Sequence, residues 1–391
     1  MSGQQSDKVI DGVRELLPVL RERAQESEDA RRTPEDSIKS LAELGFFKML
    51  QPARYDGAEA SPVDFFAAVK LSASACGSTG WVASVLGVHP WQLALFDVRA
   101  QEEVWGEDTD VRISSSYAPM GRATPVPGGF RFSGRWSFSS GCDHATWTFL
   151  GGLVLGEDGT PTDFRTFLLP IADYTIEDVW DAVGLRGTGS NDIVVDDAFV
   201  PEYRTLSFVD TGRCVCPGQE VNTAPLYRLP FASVFSCSIS APIIGMAAGA
   251  YDAYVGHTRE RVRASTGGRA ADDVFAQVRI AEAATWIDVA WLQIQRNIDE
   301  ELELATAGEK IPISLRMRAR RDQVSATGVA IAAVDRLFES AGGRALQVGT
   351  PIQRFWRDAH AGRVHAINDP EKALAMYGQG ELGMRVRDAW I

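Results

Sequence analysis

Cysteine is scarce and poorly placed in this chain. The five, Cys76, Cys142, Cys214, Cys216 and Cys237, are odd in number and scattered, which excludes a disulfide framework and suits reduced thiols. Cys214 and Cys216 stand beside Pro217 and Gly218 with no second Cys/His pair at zinc spacing, so no metal site is expected there. Positive charge is short as well: 39 Lys and Arg against 52 Asp and Glu leave a net charge of -13, which argues against a nucleic-acid footprint and a polybasic membrane surface. The cluster Arg316, Arg318, Arg320 and Arg321 reads as a solvated or subunit-facing helix side. No apolar run reads as long enough to span a bilayer, and Met1 to Asp11 lacks the apolar core of a signal peptide; a cytoplasmic protein is expected. No Gly-x-Gly-x-x-Gly opens a helix. Gly184, Gly187 and Gly189 run instead into the β-branched stretch Ile193-Val194-Val195, so a built-in nicotinamide site is not expected. Repeats and low-complexity segments are missing too.

What is present organises into blocks. Hydrophobic residues make up 45% of the chain, enough for a sizeable core. Val9, Val13, Leu16, Leu17 and Leu20 recur at helical spacing. Thr33-Pro34 predicts a capped helix start that runs to Gly45, and Ser61-Pro62 predicts another. Residues 1–110 read as a helical domain. Short alternating stretches and a Gly128-Gly129 turn make 111–207 a β domain, and Gly212, Pro217 and Gly218 mark 208–224 as a linker. Helical periodicity returns over 225–391, most plainly at Val278, Ala281, Ile287, Trp291, Ile294 and Ile298, a stripe assigned to packing alone.

Two motifs stand inside the β block. Gly134-Arg135-Trp136-Ser137-Phe138-Ser139-Ser140-Gly141-Cys142 sets aromatic rings beside two small hydroxyls. Val183-Gly184-Leu185-Arg186-Gly187-Thr188-Gly189-Ser190-Asn191 follows, closing at Phe199-Val200-Pro201. With Gly45-Phe46 to Gln51-Pro52 and Thr350-Pro351-Ile352-Gln353-Arg354 to Arg357-Asp358, this helical, β, helical order resembles the acyl-CoA dehydrogenase fold: an N-terminal helical domain, a β-barrel-like middle domain and a C-terminal helical bundle. The resemblance implies a flavin site. An isoalloxazine needs one face covered and its polar edge hydrogen-bonded; Phe138 or Trp136 suits the face, and Ser139 or Ser140 the edge. A plain strand, with Trp136 and Phe138 alternating inward and the serines solvated, accounts for the same residues.

Thioester dehydrogenases of this fold carry a Glu soon after the C-terminal Arg-Asp motif to take the substrate's α-proton. This chain departs from them there, because His360 to Pro370 contains no Glu and Glu371 follows Pro370. His365 instead falls where the flavin-dependent monooxygenases of the fold hold a substrate-binding imidazole, able to accept a phenolic proton. A surface or core-satisfied histidine is the alternative, favoured for His360. Cys76 to Trp81, His89-Pro90-Trp91, Gln101 to Glu107, Ser114 to Gly121, Ser139 to Ala145 and Gln353 to Ala366 are similar to the oxygenase components of two-component monooxygenases, most of all the actinobacterial secosteroid phenol hydroxylases.

That resemblance implies ortho-hydroxylation of a phenol to a catechol by reduced flavin and O2 through a C4a-hydroperoxide. The implied substrate is 3-hydroxy-9,10-secoandrosta-1,3,5(10)-triene-9,17-dione in steroid degradation. It further implies diffusible FMNH2 or FADH2 from a separate NAD(P)H:flavin reductase, and a homotetramer. The implied catalytic residues are His365, His89 and Ser140. Trp136, Phe138, Ser139, Ser140, Arg186, Thr188, Ser190 and Arg354 are implied for the cofactor, and His365, Ser115 and Tyr117 for the substrate. A hydroxylase of another phenol or polyketide aromatic, an acyl-CoA dehydrogenase or oxidase, and a non-catalytic scaffold are the competing readings.

Overall fold

The computed structural model describes residues 2–262 and 267–386. Six helices fill the first block: α1 (Ser2–Glu22), α2 (Ala24–Ala30), α3 (Glu35–Glu43), α4 (Pro62–Ala75), α5 (Gly77–Leu93) and α6 (Val98–Trp105). Ser61 starts α4 by accepting from the Val63 amide at 3.2 Å, with Pro62 in the first turn. Thr33 does not cap α3, contrary to expectation. Its hydroxyl donates 2.8 Å to the Gly187 carbonyl, so a tertiary bond displaces the local one. Gly45, at φ 80°, ends that helical segment where the left-handed conformation favours glycine. Every residue of α5 is buried, and its sequence is correspondingly apolar on all sides.

The β block is one seven-stranded sheet formed by β1 (Ile113–Val126), β2 (Gly129–Ser139), β3 (Trp147–Leu155), β4 (Pro161–Pro170), β5 (Thr175–Glu177), β6 (Asn191–Pro201) and β7 (Thr205–Ser207), in the order β5-β6-β2-β1-β3-β4-β7. Only the β1–β3 pairing is parallel among the described strands. It encloses a core of its own, in which Phe132 and Phe167 stack with ring centroids 4.1 Å apart.

Residues 208–224 do not form an open linker. Helix α7 (Phe208–Arg213) is capped by Ser207, and beyond it the Gly218 amide donates to the Leu95 carbonyl and Asn222 to the Ala94 carbonyl. These bonds strap the segment to the end of α5. The C-terminal bundle follows as α8 (Phe231–Glu260), α9 (Val274–Thr306), α10 (Ile313–Ala341), α11 (Pro351–Arg363) and α12 (Pro370–Glu381). Helix α8 corrects the reading that no run could span a bilayer: it is long and apolar enough, but 94% of its apolar stretch is buried inside the fold, as in a core helix. The arginine cluster on α10 is not a solvated side either. Arg316 and Arg320 are buried, bonding to the carbonyls of Gly212 and Ile367, while Arg318 pairs with Glu300 and Arg321 with Asp322.

Candidate active site

The end of β2 breaks the inward-outward alternation of a strand. Its register against β6 shifts between Trp136 and Ser139, and Phe138 sits at φ 68°. This extra residue turns Trp136 and Ser139 inward and leaves Phe138 exposed beside Trp180, with ring centroids 6.1 Å apart. Ser140, just past the strand, is half-buried at the mouth of this corner. Its hydroxyl accepts 3.1 Å from the Trp81 indole on α5 and lies 2.7 Å from the Ser190 hydroxyl. Ser190 continues 2.6 Å to Thr188, whose hydroxyl donates 2.8 Å to the Leu185 carbonyl. The two motifs thus meet in one file of hydroxyls.

The loop that supplies Thr188 and Ser190 is held from α11. Leu185 has a left-handed backbone, φ 52°, and its amide donates 2.6 Å to the buried Asp358 carboxylate. Burial pushes that carboxyl up to about 6. Arg357, the preceding residue, donates to the Val183 carbonyl at 2.7 Å.

Two imidazoles lie toward opposite ends of α5, His365 beside the corner and His89 away from it. The His365 ring lies 6.1 Å from that of Trp81, centroid to centroid. His365 caps a turn at Ala366–Asn368: its Nδ1 accepts from the Ile367 amide at 3.2 Å. A neutral imidazole that accepts at Nδ1 carries its proton on Nε2. Burial pushes this ring down to about 4. His89, eight residues beyond Trp81 and so about 12 Å along α5, has the opposite arrangement. Its Nδ1 lies 2.5 Å from the Ile113 carbonyl, so Nδ1 is the donor; Nε2 is buried with no partner, and burial holds the ring down to about 4.

Family models match at both ends of the chain: "Acyl-CoA dehydrogenase, N-terminal domain" over residues 5–106 and "Acyl-CoA dehydrogenase, C-terminal domain" over 237–370. The oxygenase subunit HsaA of a flavin-dependent monooxygenase from Rhodococcus jostii (strain RHA1) is 60% identical over 96% of this chain and 98% of its own length. The HsaA subunit from Mycobacterium tuberculosis (strain H37Rv) is 54% identical over 99% of each chain. The crystal structure of 3-HSA hydroxylase from Rhodococcus sp. RHA1 superposes with a TM-score of 0.95 at 58% identity, covering 98% of this chain and 99% of that one. The chain belongs to the oxygenase subunits of flavin-dependent monooxygenases. It carries the acyl-CoA dehydrogenase fold and is an aromatic hydroxylase using reduced flavin and O2.

The oxygenase gathers Ser140, Thr188, Ser190 and His365 around Trp81, a residue to which the sequence assigned no role. No periodicity marks it, because all of α5 is buried. Other expected positions lie elsewhere. Trp136 cannot cover a flavin from its place in the sheet core, where it is fully buried, packs on Phe132 and donates to the Ala118 and Gly151 carbonyls. Ser139 is likewise buried, and its hydroxyl has no partner. Arg186 is spent within its own loop on Asp181 and the Ala182 carbonyl. Arg354 pairs with Glu28 and Gln25 of α2, away from the hydroxyl file.

Tyr117 lies near His89 instead, with ring centroids 6.4 Å apart, and Ser115 bonds to the Tyr117 hydroxyl. The Tyr117 hydroxyl donates to Gln92, and its ring meets Phe235, Phe231 and Phe208 edge-on, with centroids 4.9, 5.7 and 6.5 Å away. His360, by contrast, bonds 2.8 Å to Asp335, which also accepts from Trp356. Glu371 is exposed in the first turn of α12.

Proposed function

We propose that this oxygenase ortho-hydroxylates a phenol to a catechol, and that the phenol is the steroid-derived 3-hydroxy-9,10-secoandrosta-1,3,5(10)-triene-9,17-dione. The observation that carries the reading is His365 beside Trp81 and the Ser140 hydroxyl, an arrangement with an imidazole where a thioester dehydrogenase needs a carboxylate. Support for the substrate comes from the HsaA subunits and the 3-HSA hydroxylase, similar over nearly the whole chain. The aromatic cluster of Tyr117, Phe208, Phe231 and Phe235, with His89 and Ser115 beside Tyr117, offers apolar contacts to a large ring system.

The corner fits a flavin in its residues: an exposed flat ring at Phe138 and a half-buried hydroxyl at Ser140 answer to a planar heterocycle with a polar edge. When bound, reduced flavin supplies the oxygen chemistry, in which one atom of O2 enters the phenol ring and the other leaves as water. In this reading Phe138 and Trp180 cover the flavin, Ser140 meets its N5 edge, and Thr188 and Ser190 act through Ser140. Because Nδ1 of His365 is occupied, its role is to donate Nε2–H to the phenol oxygen rather than to take the proton. The phenolate form accepts that bond, and its proton goes to solvent.

A separate NAD(P)H:flavin reductase supplies FMNH2 or FADH2. Four copies associate, with the exposed apolar residues Phe275, Val278, Val289 and Leu292 along α9 as one contact surface. The free, mostly buried cysteines suit the cytoplasm. The test is anaerobic loading with FMNH2 or FADH2, mixing with oxygenated buffer, and analysis for the catechol of the secosteroid and of simpler phenols. Catechol from the secosteroid in preference to the others is expected; no catechol from any phenol overturns the reading.

A further inference from the structure

The file of hydroxyls has a direction. A carbonyl only accepts, so the proton of Thr188 belongs to its bond with the Leu185 carbonyl, at 2.8 Å. Thr188 therefore accepts from Ser190 across 2.6 Å, which spends the Ser190 proton. Ser190 must in turn accept from Ser140 across 2.7 Å. At the other end an indole N–H only donates, and Trp81 gives its proton to Ser140. The Leu185 end imposes the polarity and the Trp81 end is compatible with it: Trp81 to Ser140 to Ser190 to Thr188 to Leu185. Thr188 and Ser190 are buried, so water does not compete for these bonds. Ser140 is left with no proton to offer and one free lone pair at its half-buried face.

We propose that this polarity makes Ser140 an obligate acceptor toward the flavin and so selects the reduced cofactor. The two redox states of a flavin differ at N5: the reduced ring carries N5–H, a donor, and the oxidised ring presents a bare N5 lone pair. An acceptor-only hydroxyl bonds the first and faces the second lone pair to lone pair. The inference rests on the proposed placement of Ser140 at the N5 edge. In it Ser190 and Thr188 are positioning residues; they touch no flavin, yet they hold the Ser140 proton away from it.

The test is anaerobic titration of the full chain with FMN and with FMNH2, giving the ratio of the two dissociation constants. Ser190→Ala removes the acceptor of the Ser140 proton, and Thr188→Val, nearly isosteric, removes the acceptor of the Ser190 proton. Ser190→Ala frees the Ser140 proton directly; Thr188→Val lets Ser190 donate to Ser140, which frees the Ser140 proton in turn. Oxidised FMN should then bind more tightly and the ratio should shrink about tenfold, which for a two-electron couple shifts the bound-flavin potential by about 30 mV. Ser190→Thr, which keeps a hydroxyl in the file, should restore the ratio. If Ser140→Ala weakens FMNH2 binding while Ser190→Ala and Thr188→Val leave the ratio unchanged, the polarity proposal is overturned and the placement of Ser140 stands. If Ser140→Ala changes neither affinity, the placement itself fails, and the proposal with it.

Discussion

Trp81 and His365 face each other with ring centroids 6.1 Å apart and planes at 59°, so one indole borders the imidazole while its N–H reaches Ser140. Trp81 is thus the physical link between the hydroxyl file and His365, the proposed substrate side. Trp81→Phe keeps an aromatic wall and deletes the N–H. Losing that single bond should cost about 1 kcal/mol, roughly fivefold in kcat/KM for the phenol. Hydrogen peroxide should take a larger share of the oxygen consumed. The measurement is catechol formed per O2 used; unchanged coupling would leave Trp81 a packing residue only.

Asp358 anchors the loop from 173 residues away, through its bond to the Leu185 amide. Asp358→Ala leaves that amide buried without a partner at a left-handed residue, a loss of about 1–3 kcal/mol. Denaturant unfolding should show it, together with weaker flavin binding. Asp358→Asn keeps the accepting oxygen and should recover most of both. The carboxyl is raised to about 6, so the protonated form is favoured by folding. Its contribution to stability is therefore full below the ordinary aspartate range near 4 and is lost as pH rises through about 6. Asp358→Asn should flatten the stability curve across that window.

The sequence made some of this visible. The Ser139-Ser140 and Arg186 to Ser190 motifs could be assigned to one corner through their resemblance to the acyl-CoA dehydrogenase fold, while a plain strand accounted for the first of them equally well. Which serine faced outward could not be read, because a bulge between Trp136 and Ser139 reverses the parity on which such a reading depends. The same bulge settled Trp136 in the core and Phe138 in solvent. Thr33 looked like a cap because caps are local, but its partner, Gly187, is 154 residues distant. Residues 208–224 have the composition of a linker and are fixed by bonds to Ala94 and Leu95 that composition does not record. His365 was singled out from the sequence, but its tautomer could not be, since that depends on the Ile367 amide turning back onto Nδ1.

Close approach of α4 and α5 sets where Trp81 stands. A Cβ on Gly80 would lie 2.4 Å from the Ala73 Cα and 2.5 Å from its backbone nitrogen, and backbone cannot move aside as a side chain can. Gly80→Ala should therefore destabilise the protein by about 1–3 kcal/mol in spite of alanine's better helix propensity. Gly378→Ala on α12, where nothing lies within 4 Å, should be neutral or mildly stabilising. Calorimetric Tm values for the pair check the contrast, and equal values would remove the packing argument.

His365 gives the sharpest test of the site's chemistry. Burial lowers its imidazole to about 4, so the neutral ring prevails through the working range. The sign follows: a depressed pKa contributes stability above the ordinary value near 6.5, lost as pH falls through about 4. His89, also held down to about 4, acts in the same direction. The rate of hydroxylation should accordingly show no inflection near 6.5, and its alkaline rise should follow ionisation of the phenol. A donor at Nε2 favours bound phenolate, so the absorbance of the bound phenol should show the phenolate band below the pH at which the free phenol ionises. His365→Ala should abolish that band and lower kcat/KM by about 1.5–3 kcal/mol, roughly 10- to 150-fold, the cost of one hydrogen bond to a charged oxygen. A rate limb near pH 6.5 that disappears in His365→Ala, with the phenol bound in its protonated form, would instead make His365 the base and show that the Ile367 amide releases Nδ1 during turnover.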